Sequence, residues 1–249
     1  MSAARGGKMY CILVTGIPAS GKTALAEYLS ASLHIPLVSK DKIKEILFDT
    51  IGFRSRTEKV ALGTGAMETM YYFAGQMMRT GQPFLLENNF ENVSRPGIQS
   101  LLEEYGYQAV TVRLTGDYNV LFKRMTERNN SPDRHKGHIV NDCYQKPEIN
   151  PKTKPKTNPE TNPETNPETN PETNPETNPE TNPETNPEIN IQPVLTQEEF
   201  IRGITERGMV EFRLPGPVME IDTTDFSKVD LRHVTEELQN IISSLKLQR

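Results

Sequence analysis

The sequence predicts an α/β protein in which a parallel sheet of five strands carries helices on both faces. Three observations support this. Apolar strand-like runs alternate with segments of helical period. A glycine-punctuated octapeptide, Gly16 to Thr23, joins the first run to the first helix. A low-complexity tract, Pro147 to Asn190, interrupts the series once, and its flanks read as one continuous alternation.

Tyr10 to Thr15 is the first strand, and the helix after it carries Leu25, Leu29 and Leu33 on one face. Pro36 to Ser39 is a short second strand, followed by a helix near Asp41 to Phe48. A longer helical region runs from Glu58 to Arg79 and ends at Gly81. Pro83 to Asn88, Gln108 to Leu114 and Val218 to Asp222 are the third, fourth and fifth strands. After the fourth, Asp117 is placed to cap a helix that turns Tyr118, Leu121, Phe122 and Met125 inward and Lys123, Arg124, Glu127 and Arg128 outward. The last helix buries Val234, Leu238, Ile241, Ile242 and Leu245.

The tract repeats a four-residue unit, mostly Pro-Glu-Thr-Asn, with proline at every fourth position from Pro147 to Pro187. It has no apolar face to offset its ordering entropy, so it is expected to be disordered and extended, with ends on the order of 35 Å apart. Lengthening a surface loop this much costs only about 1–2 kcal/mol in closure entropy. The expected organisation is therefore a core and lid over 9–146, the tract over 147–190, and completion of the same domain over 191–249.

Composition narrows the function classes. Of 249 residues, 35% are hydrophobic and 24% charged, enough for a sizeable core. The net charge is −5, and the tract, with nine Glu and three Lys, accounts for −6 of it, so the folded part is close to neutral. No clustered basic face marks a strong duplex nucleic-acid footprint. Neither a membrane-spanning run nor the apolar region of a signal peptide is present, so a cytoplasmic location without a membrane partner is expected. Cys11 and Cys143 have neither metal-site nor disulfide spacing and read as ordinary thiols.

Gly16-Ile17-Pro18-Ala19-Ser20-Gly21-Lys22-Thr23 matches G-x-x-x-x-G-K-[ST] in full, with a strand before it and a helix after it. This is a P-loop. Its amides and the helix N-terminus cradle a β-phosphate, Lys22 neutralises β and γ oxygens, and the Thr23 hydroxyl ligates Mg²⁺. A nucleoside triphosphate, expected to be ATP, with Mg²⁺ is the cofactor this implies.

The octapeptide, followed by Val38-Ser39-Lys40-Asp41, resembles the P-loop kinases related to polynucleotide kinase, chloramphenicol phosphotransferase and zeta toxin. The resemblance covers Met9 to about Tyr144 and Phe200 to Ile242. It implies a three-layer, nucleotide-kinase-like P-loop NTPase fold and transfer of a γ-phosphoryl group to a hydroxyl. Asp41 matches the family's general base, although a helix N-cap would also explain it. Lys44 stands where relatives often carry an arginine that meets the acceptor; the charge is kept, the planar fork is not. Glu87 and Asn89 end the third strand, where relatives place an acidic residue and an Asn. Glu87 would hold a magnesium-bound water and Asn89 would touch the acceptor, or the segment is a plain strand-end turn.

Arg124, Arg128 and Arg134 correspond to a lid whose arginines close over the phosphates, with a solvated helix face as the alternative. Arg134-His135-Lys136-Gly137-His138 resembles an Arg-His-x-Gly-His lid segment; its two His are read as lid-loop residues, not as a zinc site. Asp222 to Asp225 stand where relatives hold the nucleotide base. The acceptor would be a small molecule or a nucleic-acid end. The competing function is an NTPase switch without kinase activity.

Overall fold

A computed structural model describes residues 9–145 and 195–247. The expected disorder of the tract lies outside the described residues. Five strands, β1 (Met9–Gly16), β2 (Leu37–Ser39), β3 (Phe84–Glu87), β4 (Tyr107–Thr115) and β5 (Val218–Asp222), form one parallel sheet in the order β2-β3-β1-β4-β5. Eight helices accompany them among the described residues: α1 (Lys22–Leu33), α2 (Lys40–Ile51), α3 (Arg56–Arg79), α4 (Arg95–Tyr105), α5 (Tyr118–Asn129), α6 (Lys136–Ile139), α7 (Gln197–Glu206) and α8 (Leu231–Leu247).

The central strands are buried on both sides, which is why β1 reads as the unbroken run Cys11-Ile12-Leu13-Val14. Successive residues serve opposite layers. Ile12 and Val14 join Leu25, Ala26 and Leu29 of α1 and Val234, Leu238, Ile242 and Leu245 of α8. Cys11 and Leu13 join Met70, Ala74 and Met78 of α3, Ile98 and Leu102 of α4, and Phe212. Helices thus cover both faces, giving three layers. The edge strand β5 alternates instead, with Met219 and Ile221 buried between exposed neighbours.

Three helices add to the elements read from sequence: α4, the single turn α6 and α7. Pro96 near the N-terminus of α4 starts a short helix on a Ser-Arg-Pro-Gly segment, and α7 opens on a capping box in which Thr196 and Glu199 satisfy each other's backbone amides. Phe200 and Ile204 of α7 pack with Leu121 and Met125 of α5 against Ile17 and Met209, a third cluster beneath the phosphate loop. Arg113 of β4 is buried; its guanidinium donates to the carbonyls of Val210 (3.0 Å) and Phe212 and pairs with Glu220. That bridge fastens the segment after α7 to the sheet.

Candidate phosphoryl-transfer site

In the order β2-β3-β1-β4-β5, β1 and β3 lie adjacent, and their carboxyl ends place the Gly16–Thr23 loop beside Glu87. The loop turns through left-handed backbone at Ala19 (φ 64°) and Gly21 (φ 89°). A side chain at Gly21 would be strained by this φ and would put a Cβ 2.5 Å from the Phe226 ring. Pro18, Ala19, Gly21, Lys22 and Thr23 line a cleft of about 1000 Å³. Ile17 and Ser20 are buried, and Ile17 packs in the third cluster. Lys22 Nζ donates to the Ile17 carbonyl at 2.8 Å. Burial pulls its ammonium down to about 8, against the opposing charges of Glu87 and Asp41.

Thr23 and Ser39 converge on Glu87, which is 4% exposed. Thr23 Oγ1 donates to Glu87 Oε1 at 3.4 Å and Ser39 Oγ donates to Oε2 at 2.5 Å. Burial pushes this carboxyl up despite both hydroxyls and Lys22. Ser39 was not singled out by sequence; its signal is that it ends a strand adjacent to β3, in register with Glu87.

Asp41 lies in the first turn of α2, whose N-cap is Ser39, so its carboxylate does not serve as the cap. Burial raises its carboxyl, but Lys40, His138, Lys44 and Lys22 together outweigh that and hold it below its ordinary value. Lys40 Nζ lies 3.7 Å away. Lys44, three residues on, lines the same cleft with its ammonium over the Phe48 ring at 5.2 Å. Burial and the neighbouring Lys40 pull it down to about 8. Asn89 also lines the cleft, in a turn held by Thr15 Oγ1 donating to its carbonyl at 2.7 Å and closed by Phe90 at φ 41°.

The three arginines all line the cleft, but they are held differently. Arg124 does not point outward as its helical position suggested. Its guanidinium donates to the carbonyls of Thr223 (2.6 Å) and Thr224 (2.7 Å), which fixes the turn after β5. Thr224 Oγ1 in turn accepts from the Asp117 amide at 2.8 Å. Arg128 and Arg134 are lowered by burial while the charges of Asp41 and Glu45 favour their protonated forms. Arg134 Nε is buried without a hydrogen-bond partner. His135 and His138 are engaged by Asp49 and Glu45 of α2, each at 3.0 Å. Among the described residues no group of three or more His, Cys, Asp or Glu is placed to hold a metal ion. Asp222 and Asp225 accept hydrogen bonds from Thr224 and Ser227, which hold both carboxyls below their ordinary values.

The cleft is also lined by Val60, Met67, Tyr71 and Val93 and by Glu68 and Glu91. Arg207, which follows α7, lines it too and pairs with Glu91 at 3.1 Å. Neither Glu45 nor this part of the lining was picked out from sequence. Glu45 was legible in principle, since it lies four residues after Asp41 and so shares its helix face.

No described helix is long and apolar enough to cross a membrane. No curated protein matches the sequence significantly. A solved structure from Chloroflexus aurantiacus J-10-fl, provisionally named a kinase, shares the fold with a TM-score of 0.64 at 22% identity, over 94% of this chain and 98% of its own. A gluconokinase from Sinorhizobium meliloti 1021 aligns with a TM-score of 0.47 at 12% identity, over 98% of this chain and 95% of its own. A shikimate kinase from Bacteroides thetaiotaomicron aligns with a TM-score of 0.45 at 13% identity, over 94% and 99%. The AAA domain family profile matches residues 12–145, more than half of the chain, from within β1 through the loop, Asp41, Glu87 and the three arginines. The protein belongs to this AAA domain family.

Proposed function

We propose that the chain is an ATP-dependent phosphotransferase that moves the γ-phosphoryl group to a hydroxyl of a small molecule. The observation that carries this reading is a single cleft lined by Lys22, Thr23, Glu87, Asp41 and Lys44. The residues suit the cofactor. Ser20 Oγ is buried without a partner in the loop, Lys22 has only a carbonyl acceptor, and Thr23 shares an oxygen of a buried carboxylate. Loop amides and Lys22 would hold the polyphosphate, and Thr23 with Glu87 would hold Mg²⁺, whose charge shields the phosphates when bound.

The acceptor oxygen bonds to the γ-phosphorus as the bond to the β–γ bridging oxygen breaks, ADP leaves, and the hydroxyl proton passes to Asp41. A carboxyl held low by its cationic neighbours is ionised at neutral pH, so it orients the hydroxyl from the start. Because the transition state is loose, most catalysis comes from alignment and from cations beside the equatorial oxygens, the part suited to Arg128 and Arg134. The apolar side chains of Val60, Met67, Tyr71 and Val93 and the presence of Glu68 in the lining support a small acceptor over the polyanionic end of a nucleic acid.

Incubation with γ-labelled ATP, Mg²⁺ and fractionated small hydroxyl metabolites is expected to move label into one fraction, while oligonucleotides with free 5′-hydroxyls stay unlabelled. Label appearing only as inorganic phosphate would support the NTPase reading instead.

A further inference from the structure

The face of α2 that presents Asp41 continues as Glu45, Phe48 and Asp49, and these side chains grip the segment that carries Arg134. His138 Nε2 lies 3.0 Å from Glu45 Oε1, His135 Nε2 3.0 Å from Asp49 Oδ1, and Tyr144 Oη donates to Asp49 Oδ1 at 2.7 Å. The Phe48 ring packs among those of Phe53, His135, His138 and Tyr144, with centroids 5.1, 5.9, 5.8 and 6.2 Å away. Gly137 is pressed so closely on this ring that a Cβ there would lie 2.3 Å from Phe48 Cδ2. From α3, Lys59 Nζ donates to the carbonyls of His138 (3.2 Å) and Val140 (2.5 Å). Phe53 and Tyr144 exchange backbone hydrogen bonds of 3.0 and 2.8 Å.

Among these anchors, His138 is the one that lines the cleft. Its side chain is 9% exposed and that of Glu45 20%. The groups facing it are Glu45, Asp41 and Lys44 from α2, Lys59 from α3, and Arg134 on its own segment. Burial pushes its imidazole down, while the imidazole contact is the main cause that draws Glu45 to about 2. Facing a carboxylate, which can only accept, His138 Nε2–H is the donor of a charge-assisted bond.

We propose that His138 and Glu45 are a positioning pair that fixes the Arg134 segment to the helix of Asp41, so that the cation at the phosphoryl group and the carboxylate at the acceptor are set as one body. This rests on the phosphotransferase reading of the cleft. A lid that swung alone would separate the two at each opening; here α2 and residues 134–144 move together or not at all. A misplacement of about 1 Å at such a site costs on the order of 10²-fold in rate, which is why a contact that touches no substrate matters.

The test compares wild type with His138→Ala, His138→Gln, whose amide keeps a donor toward Glu45, and His233→Ala, which removes an exposed imidazole of α8 outside this segment. Hydrogen exchange and ATP affinity are measured on each, and ATP turnover is followed with water as acceptor. His138→Ala is expected to raise exchange in both 134–144 and the first two turns of α2, and to cut turnover at saturating ATP at least tenfold with affinity changed less than twofold. His138→Gln should recover turnover to within about threefold of wild type, and His233→Ala should keep it. Raised exchange confined to 134–144, or turnover in His138→Ala equal to wild type, overturns the proposal. Wild type that moves label from γ-labelled ATP into none of the hydroxyl metabolite fractions would instead overturn the phosphotransferase reading, and the exchange pattern would still decide whether the pair couples the two elements.

Discussion

Glu87→Gln separates the proposed metal role of this residue from its structural one. The side chain is nearly isosteric, so no cavity forms. Both carboxylate oxygens accept hydroxyl hydrogens, from Ser39 at 2.5 Å and Thr23 at 3.4 Å, and an amide accepts on one side only. One hydrogen bond to an ionised group is lost, worth about 1.5–3 kcal/mol. An opposing effect comes from burial, which raises the Glu87 pKa above its unfolded value. An acid raised on folding favours the native state in its protonated form, and that advantage fades as pH rises through the folded pKa. Removing the charge relieves this cost at neutral pH. The two effects have opposite signs, so the melting temperature should stay within a few degrees of wild type.

Nucleotide binding should respond differently. Titration calorimetry of ATP, in excess Mg²⁺ and in EDTA, gives the factor by which the metal tightens binding. That factor is expected to fall about tenfold in the variant, or about 1.4 kcal/mol. Affinity in EDTA should hold or improve, because a buried negative charge beside the polyphosphate has gone. An unchanged Mg²⁺ factor would refute the assignment of Glu87 to the metal.

Lys22→Ala should abolish ATP turnover, since no other described side chain of the loop carries a positive charge toward the β and γ oxygens; unchanged turnover would remove the loop from the chemistry. The Lys22 ammonium is drawn down to about 8 in the nucleotide-free protein, and bound phosphates must raise it again, so ATP binding should take up a proton and weaken as pH climbs above about 8. Calorimetry in two buffers of different ionisation enthalpy measures that uptake, and zero uptake at pH 9 contradicts it. Asp41→Asn should lower phosphoryl transfer by about 10²–10⁴-fold with ATP affinity nearly intact. Since Asp41 is in the first turn of α2 and not its cap, the stability cost should stay near the 0.3–1 kcal/mol of a helix-dipole contact, and near-normal transfer would exclude it as the base. Excising 147–190 should leave the melting temperature and ATP affinity close to wild type; a loss of many degrees would show that the tract packs on the domain.

The strands were legible because a parallel sheet buries both faces, leaving short apolar runs such as Phe84-Leu85-Leu86 between turn residues. The P-loop was legible because its glycines, lysine and threonine are contiguous. Helix α4 escaped notice because its start, Arg95-Pro96-Gly97, reads as a turn, and α7 because it follows directly on a low-complexity segment. Arg124 was misdirected by helical periodicity alone: the carbonyls it holds come from residues 99 and 100 positions later. Local pattern cannot express that distance. The same is true of Glu45 and His138, 93 positions apart, whose pairing depends on how the segment after α5 folds back over α2.

The position of β5 and α7, both later in the chain than residues 147–190, has a consequence during synthesis. When Tyr144 leaves the ribosome, β4 has an open hydrogen-bonding edge, and Ile17, Leu121 and Met125 lack the Phe200 and Ile204 that cover them. At about 5–20 residues per second, the interval until Asp222 also emerges lasts roughly 4–16 s. A nascent chain therefore carries an exposed strand edge and an apolar patch beneath its phosphate loop for seconds, a template for pairing with another chain. Shortening the repeat would shorten that interval, so the length of a segment with no apolar face bears on how cleanly the protein folds in a crowded cell.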